Sequence, residues 1–446
     1  MNNIKQPSVA GTFYSSDKNE LLKQIEYFKQ VSANDYEYKS RAVIVPHAGL
    51  IYSGRLAYDG LKSLKGDLKT LIIFAPSHHA RFDNLVLSSY KMWETTLGTI
   101  ELDTDIVEKL NKDFNLQFND EAFKNEHSAE IELPLIQTLF EDIKIVPVLV
   151  GNADYNNITD IIDYFWNDEK IGFVISSDLS HFYKNEDAIR LDSFTAQLIE
   201  TNNYKQFKQG QACGILGILG LLKFAENKNY SLIRVSMANS SAVNNDTSSV
   251  VGYGSWFLYD DSKNAFLKKF YSEKIIQICK EAVISSLEHR ELRINDLAQV
   301  FYENGACFVT LTKFENLRGC IGSITAYEPL AEDLIHNAIS AAFNDSRFNP
   351  VEKDEFEHLD FAISLLSHPQ EMNFKDEEDL LSQIVPYKDG IIIEDKGHRA
   401  VYLPSVWEQL PDKVSFLNSL KVKAGLPYNH FSETFKAYRY YTEYIK

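Results

Sequence analysis

The 446-residue sequence predicts an N-terminal α/β domain with a largely parallel sheet, followed by a C-terminal α+β domain. Three observations lead there. The chain is longer than the ~100–200 residues of an ordinary domain. Up to residue 261, short apolar runs alternate with helix-like stretches, whereas further on helix and strand segregate. Between these regions lies the polar stretch 260–264 (DDSKN), which sets the expected domains at residues 1–261 and 265–446.

In the first domain the apolar runs are 42–45 (AVIV), 71–75 (LIIFA), 145–150 (IVPVLV) and 173–175 (FVI), with helical stretches such as 20–28 and 131–140 between them. Continuous rather than alternating apolar runs mark strands covered on both faces, hence a parallel sheet flanked by helices. A strand over 250–259 closes the domain. The second domain begins with a predicted helix over 266–290, where Leu267, Tyr271, Ile275, Cys279, Ala282 and Val283 form one apolar stripe. Strand-like segments follow at 307–314 and 361–367.

Hydrophobic residues at 44% and charged residues at 24% exclude wholesale disorder, and 28 Phe with 24 Tyr supply bulk for two cores. Acidic residues outnumber basic ones 63 to 45, for a net charge of −18, which opposes nonspecific capture of nucleic acid or an anionic membrane. No apolar run reaches the ~20 residues of a membrane-spanning helix. The opening MNNIKQPSVAGTFYSS lacks the apolar segment of a secretory signal. Cys213, Cys279, Cys307 and Cys320 make no CxxC pair and suit a reducing compartment, so the expected location is the cytoplasm.

Ligands of parallel sheets gather beyond the carboxyl ends of the strands. Here AVIV runs into Pro46-His47-Ala48-Gly49, LIIFA into Pro76-Ser77-His78-His79, and FVI into Ser176-Ser177-Asp178-Leu179-Ser180-His181. Imidazole and thiolate are good ligands for zinc, copper and iron, which makes His47, His78 and Cys213 candidates. Cys213 precedes a helical apolar run at 215–222, whose free N–H groups would stabilise a thiolate. Taken singly, each of these residues also reads as a hydrogen-bonded turn histidine or an inert packed thiol.

His127, Asp178 and His181 form a second group. A histidine beside a carboxylate serves as acid or base near neutral pH. Asp178 and His181, three apart, would share a face on a helical turn. Ser176, Ser177 and Asp178 read as well as N-caps after a strand, and capping is the preferred role for Ser177. Gly214, Gly217 and Gly220 lie within a helical run and predict close helix packing rather than a phosphate loop. The GxSxG elbow and the HExxH signature are absent.

The segments 9–14 (VAGTFY), 46–54 (PHAGLIYSG), 76–79 (PSHH), 126–130 (EHSAE) and 176–181 (SSDLSH), with Cys213-Gly214 and the closing strand over 248–259, occur in the order seen in the Memo family. The chain resembles that family over nearly all of residues 1–261. Residues 265–446 resemble the AMMECR family through 317–322 (LRGCIG), 341–348 (AAFNDSRF) and 423–427 (KAGLP). Together the two halves look like a fusion of proteins B and A of the AmmeMemoRadiSam system, whose third member is a radical SAM protein. This chain has no CxxxCxxC motif, so the resemblance implies a separate radical SAM partner.

The resemblance further implies a fold similar to the LigB-like class III extradiol dioxygenases, whose iron is held by two histidines and one carboxylate. The matching positions imply His47, His78 and Cys213 as ligands of one transition-metal ion. Thiolate in place of carboxylate shifts preference toward softer ions, so iron or copper comes first, with zinc as the alternative. His127, Asp178 and His181 would handle protons or orient bound ligands as the catalytic group, and His79 would face substrate. In the second domain, the expected turn at 318–322 offers Arg318 and exposed amides to an anion, with Cys320 alongside; a tight strand-connecting turn with Cys320 packed beneath is the other reading. The resulting expectation is a metal-dependent oxidoreductase of dioxygenase-like architecture, working with a radical SAM protein on a small molecule or peptide. Beside it stand a non-enzymatic redox-metal or protein-interaction module and a zinc-dependent hydrolase.

Overall fold

The four apolar runs of the first half become strands β1 (Ala42–Val45), β2 (Thr70–Pro76), β3 (Lys144–Val150) and β4 (Ile171–Ser176). In this computed structural model, which describes residues 3–32, 38, 40–64, 66–295 and 297–446, they lie parallel in the order β1-β4-β2-β3. Every residue in them except Lys144 is buried, which is why the runs are continuously apolar. Strand β5 (Val250–Tyr259) pairs antiparallel with β1 on one side, and Leu85–Leu87 pairs antiparallel with β3 on the other. The nine-residue strand Ser231–Asn239, antiparallel to β5, and two short strands, His181–Tyr183 and Gln117–Phe118, bring the sheet to nine strands among the described residues.

Helices α1 (Leu50–Leu61), α2 (Leu133–Leu139), α3 (Tyr155–Phe165) and α4 (Ile215–Lys228) belong to this unit. Side chains alternate across a strand, so one face of β1 and β4 presents Ala42, Ile44, Phe173 and Ile175 to a core shared with α3 and α4. Val45 points the other way, where a Cβ on Gly60 of α1 would stand 2.6 Å from its Cγ1. The glycine series in α4 serves the same packing. A Cβ on Gly217 would meet Ile175 at 2.9 Å, and one on Gly220 would meet Ile158 of α3 at 2.7 Å.

By its contacts the chain divides into one unit of Met1–Ser262 with Ala298–Val300, and another of Lys263–Leu297 with Phe301–Lys446. In the second unit, the helices Lys263–Leu287 and Leu330–Phe343 pack on an antiparallel sheet of Asn316–Gly322, Cys307–Lys313, Leu359–Leu366 and Thr442–Ile445. A second antiparallel sheet, built largely from Gly390–Asp395, His398–Tyr402 and Lys436–Tyr440, closes its own core around Trp407 and Phe416, whose rings stack at 3.6 Å. Helix and strand are segregated here, giving an α+β domain. Among the described residues no helix is long and apolar enough to cross a membrane. All four cysteines are free.

Three local expectations are corrected. Residues 318–322 are not a turn but part of the strand Asn316–Gly322; the chain reverses at Phe314 and Glu315, both with positive φ (50° and 65°). The glycines are needed for close approach instead: a Cβ on Gly319 would fall 2.0 Å from the Ala341 carbonyl oxygen of the overlying helix. Nor do Asp178 and His181 share a helical turn. Leu179 N donates to the Gly252 carbonyl and Gly252 N to the Ser180 carbonyl, both at 2.8 Å, so the segment is drawn against β5 and His181 begins a short strand. Finally, Ser176, Ser177 and Asp178 do not cap a following helix. Ser176 ends β4, and Ser177 Oγ accepts the N–H of Gly214 at 2.9 Å, so it satisfies a free N–H at the start of α4, a helix that begins 38 residues further along the chain.

Candidate metal centre

The carboxyl ends of β1, β2 and β4 hold the chemistry. His47 follows β1, fully buried at 1% exposure. Its backbone N–H donates to Asp178 Oδ1 (2.8 Å), which follows β4. His78 follows β2, and its Nδ1 lies 2.9 Å from Glu126 Oε1 while its backbone N–H reaches Oε2 at 2.5 Å. His127 is brought in by the segment before α2, its Nδ1 3.3 Å from the same Glu126 oxygen. The ligand atoms of His47, His78 and His127 lie within 4.8 Å of one another, a group able to hold a metal ion. The rings of His78 and His127 stack at 4.6 Å, and His47 stands edge-on to both.

Tautomers follow from the partners. A carboxylate only accepts, so His78 Nδ1 carries the hydrogen and Nε2 keeps its lone pair. Ser176 Oγ donates to the Ser128 carbonyl at 2.6 Å, leaving it an acceptor for His47 Nδ1–H, also at 2.6 Å. His47 Nε2 is thereby bare and lies 3.1 Å from Cys213 Sγ. This is the arrangement by which hydrogen-bond partners aim ligand imidazoles in metalloproteins.

Electrostatics point the same way. Burial, reinforced by the neighbouring His78 and His127, holds His47 well below the usual imidazole range. Burial and then His78 bring His127 down to about 4. Both rings are therefore neutral at pH 7, the form that coordinates. Burial alone would raise Glu126, yet the His78 side chain and backbone, with Ser128 N–H, bring it down to about 2. Burial pushes Asp178 up to about 7 and, with Asp178 beside it, raises the Cys213 thiol. The donor set of neutral imidazoles and one sulfur fits a transition-metal ion, and it offers no cluster of hard oxygens for calcium or magnesium.

The remaining residues take distinct places. Cys213 lies at the His47 side, its Sγ accepting Asp178 N–H at 3.2 Å, outside the three-imidazole group. His127, expected at the rim, stands inside that group. Asp178 is buried beneath His47 rather than exposed to a ligand. His181 Nδ1 lies 2.9 Å from the Leu179 carbonyl, and His79 is exposed with its ring 6.2 Å from that of His127. A cavity of about 520 Å³ opens between the ends of β2 and β3 and the start of α4, with Ser77, Arg81 and Cys213 in its wall. In the second unit, Arg318 is paired with Glu355 (2.9 Å), and Cys320 Sγ sits 3.3 Å from Thr310 Oγ1.

Sequence reasoning gave no role to Glu126 or to the group that holds the N-terminal segment. Glu130 accepts from Lys5 Nζ (2.8 Å), Ser8 N, Val9 N and Tyr14 Oη. This anchors residues 8–14, so that the Phe13 ring covers His127 at 4.7 Å. A carboxylate directly before His127 was the available signal for Glu126. Nothing in the sequence linked Lys5 to Glu130, 125 positions away.

The Memo-like protein family matches residues 5–257, and the AMMECR1 family matches residues 276–445. A MEMO1 family protein of Archaeoglobus fulgidus is 31% identical over 264 residues, covering 56% of this chain and 97% of that protein. One from Aquifex aeolicus is 31% identical over 261 residues, with the same coverage of each. The crystal structure of an uncharacterized protein from Pyrococcus horikoshii is 30% identical, covers 39% of this chain and 89% of its own, and has a TM-score of 0.36.

Proposed function

The chain belongs to the Memo-like protein family and carries an AMMECR1 domain behind that match; from this premise we propose a metal-dependent oxidoreductase with a single ion at His47, His78 and His127. Cys213 Sγ is the adjoining fourth donor. The observation that carries the reading is the convergence of three imidazoles, two of them with their Nδ1 hydrogens committed to Glu126 and Ser176. One sulfur among nitrogens favours iron or copper. When bound, such an ion supplies Lewis acidity and one-electron chemistry.

The chain's own residues do the rest. His181 donates Nδ1–H to the Leu179 carbonyl, so its Nε2 is a proton acceptor at the edge of the site. His79, exposed beside His127, meets substrate. Phe13 shields His127 from water. Asp178 fixes the backbone of His47. We assign a radical SAM protein as the partner, with the AMMECR1 domain presenting it or the substrate.

Anaerobic purification followed by metal analysis tests this reading. One iron or copper per chain, lost in a His47→Ala/His78→Ala variant, is expected. Stoichiometric zinc under the same conditions would replace redox chemistry by hydrolysis, and unchanged metal content in the variant would refute the site. Co-purification with the radical SAM protein at low salt tests the partnership.

A further inference from the structure

Glu132 lies outside the three-imidazole group. It sits at the start of α2, has no exposed surface, and among the described residues neither carboxyl oxygen makes a hydrogen bond. A carboxylate in that position would be costly. Burial pushes the group up to about 8, so it is a neutral acid at pH 7 with one O–H to donate. Ser176 is the polar side chain near enough to hydrogen-bond it, and the Asp178 carboxyl nearby adds to the upward push.

A serine hydroxyl has one hydrogen and two lone pairs. The hydrogen of Ser176 goes to the Ser128 carbonyl, and one lone pair takes His47 Nδ1–H. One lone pair is left. We propose that Glu132 is a positioning residue for His47: turned toward Ser176, it donates its O–H to that remaining lone pair and keeps the serine an acceptor. Without it, the Ser176 hydroxyl is free to swing its hydrogen onto His47 Nδ1. The ring would then carry its hydrogen on Nε2, where it cannot bind an ion. The inference rests on the metal-site reading above.

The test uses the full chain, stripped with a chelator, as wild type, Glu132→Gln and Glu132→Leu. Co²⁺ is titrated against a chromogenic competitor, and His47 is read by NMR on ¹⁵N-histidine-labelled, metal-free protein. Glutamine keeps an N–H donor and should hold Co²⁺ as wild type does, with a single Nδ1–H tautomer. Leucine should weaken Co²⁺ about tenfold and give mixed tautomers while remaining folded. Leucine with wild-type affinity and a single tautomer overturns the proposal, as does glutamine losing as much as leucine. Should the leucine variant not fold, the infrared difference between wild type and Glu132→Gln at pH 7 decides: a protonated-carboxyl band supports the donor role, and its absence overturns it. Failure of wild type to bind Co²⁺ would remove the metal reading, whereas the tautomer and infrared readouts would still decide whether Glu132 orients His47.

Discussion

Removing the Glu130 carboxylate should release the N-terminal segment from above the histidines. Lys5 and Glu130 are 5% and 1% exposed, 2.8 Å apart. Glu130 also accepts from Ser8 N, Val9 N and Tyr14 Oη at 2.8–3.0 Å. Glu130→Ala leaves a buried ammonium without its counter-charge and strands three donors. Among the described residues Lys5 keeps neutral partners, Ser8 Oγ and the Gln6 carbonyl, and the Trp93 ring face at 4.6 Å. Breaking a buried pair by removing one partner costs about 3–5 kcal/mol, and we expect about 4 kcal/mol here. Lys5→Met/Glu130→Leu removes both charges but still strands the three donors, so it should be more stable than Glu130→Ala and less stable than wild type. Urea titrations followed by far-UV circular dichroism give the stabilities, and Co²⁺ titration gives the effect of displacing Phe13 from His127. A loss below about 1 kcal/mol in Glu130→Ala, or a double variant no more stable than the single, would refute the reasoning.

Glu126→Ala frees the backbone and ring of His78 and should weaken Co²⁺ about 10–100-fold; unchanged affinity would contradict its orienting role. Glu132 has a pKa raised from 4.5 to about 8, so its stability contribution is fully present below pH 4.5 and is lost as pH rises to about 8. At about 1.4 kcal/mol per unit this reaches at most about 5 kcal/mol, and Glu132→Gln should make the fall between pH 5 and pH 8 smaller in metal-free protein, leaving the part that belongs to Asp178, as urea midpoints at the two pH values will show. Gly319→Ala places a methyl group 2.0 Å from a backbone oxygen, so strand and helix must part; a loss of about 3 kcal/mol in the second unit with unchanged Co²⁺ binding is expected from denaturation and titration together.

The sheet was legible because burial on both faces leaves a plain mark: 42–45, 71–75, 145–150 and 173–175 are apolar throughout, and each became a parallel strand. His47 and His78 were legible because they directly follow two of those runs. The path of residues 177–181 was not, since it depends on hydrogen bonds to Gly252, more than 70 positions away in sequence. Serines 176 and 177 carry the same capping signal whether the helix they serve comes next or, as with Gly214, arrives from elsewhere. The strand at Asn316–Gly322 was read as a turn because glycine signals both positive φ and close approach, and only the overlying Ala341 distinguishes them.

The most direct measurement is a crystal structure of anaerobically purified protein with anomalous data collected across the iron, copper and zinc edges. One peak bonded to His47, His78 and His127, with the Cys213 sulfur turned toward it, is the predicted result. Well-ordered imidazoles with no anomalous density between them, in protein reconstituted with each of the three metals, would contradict the account.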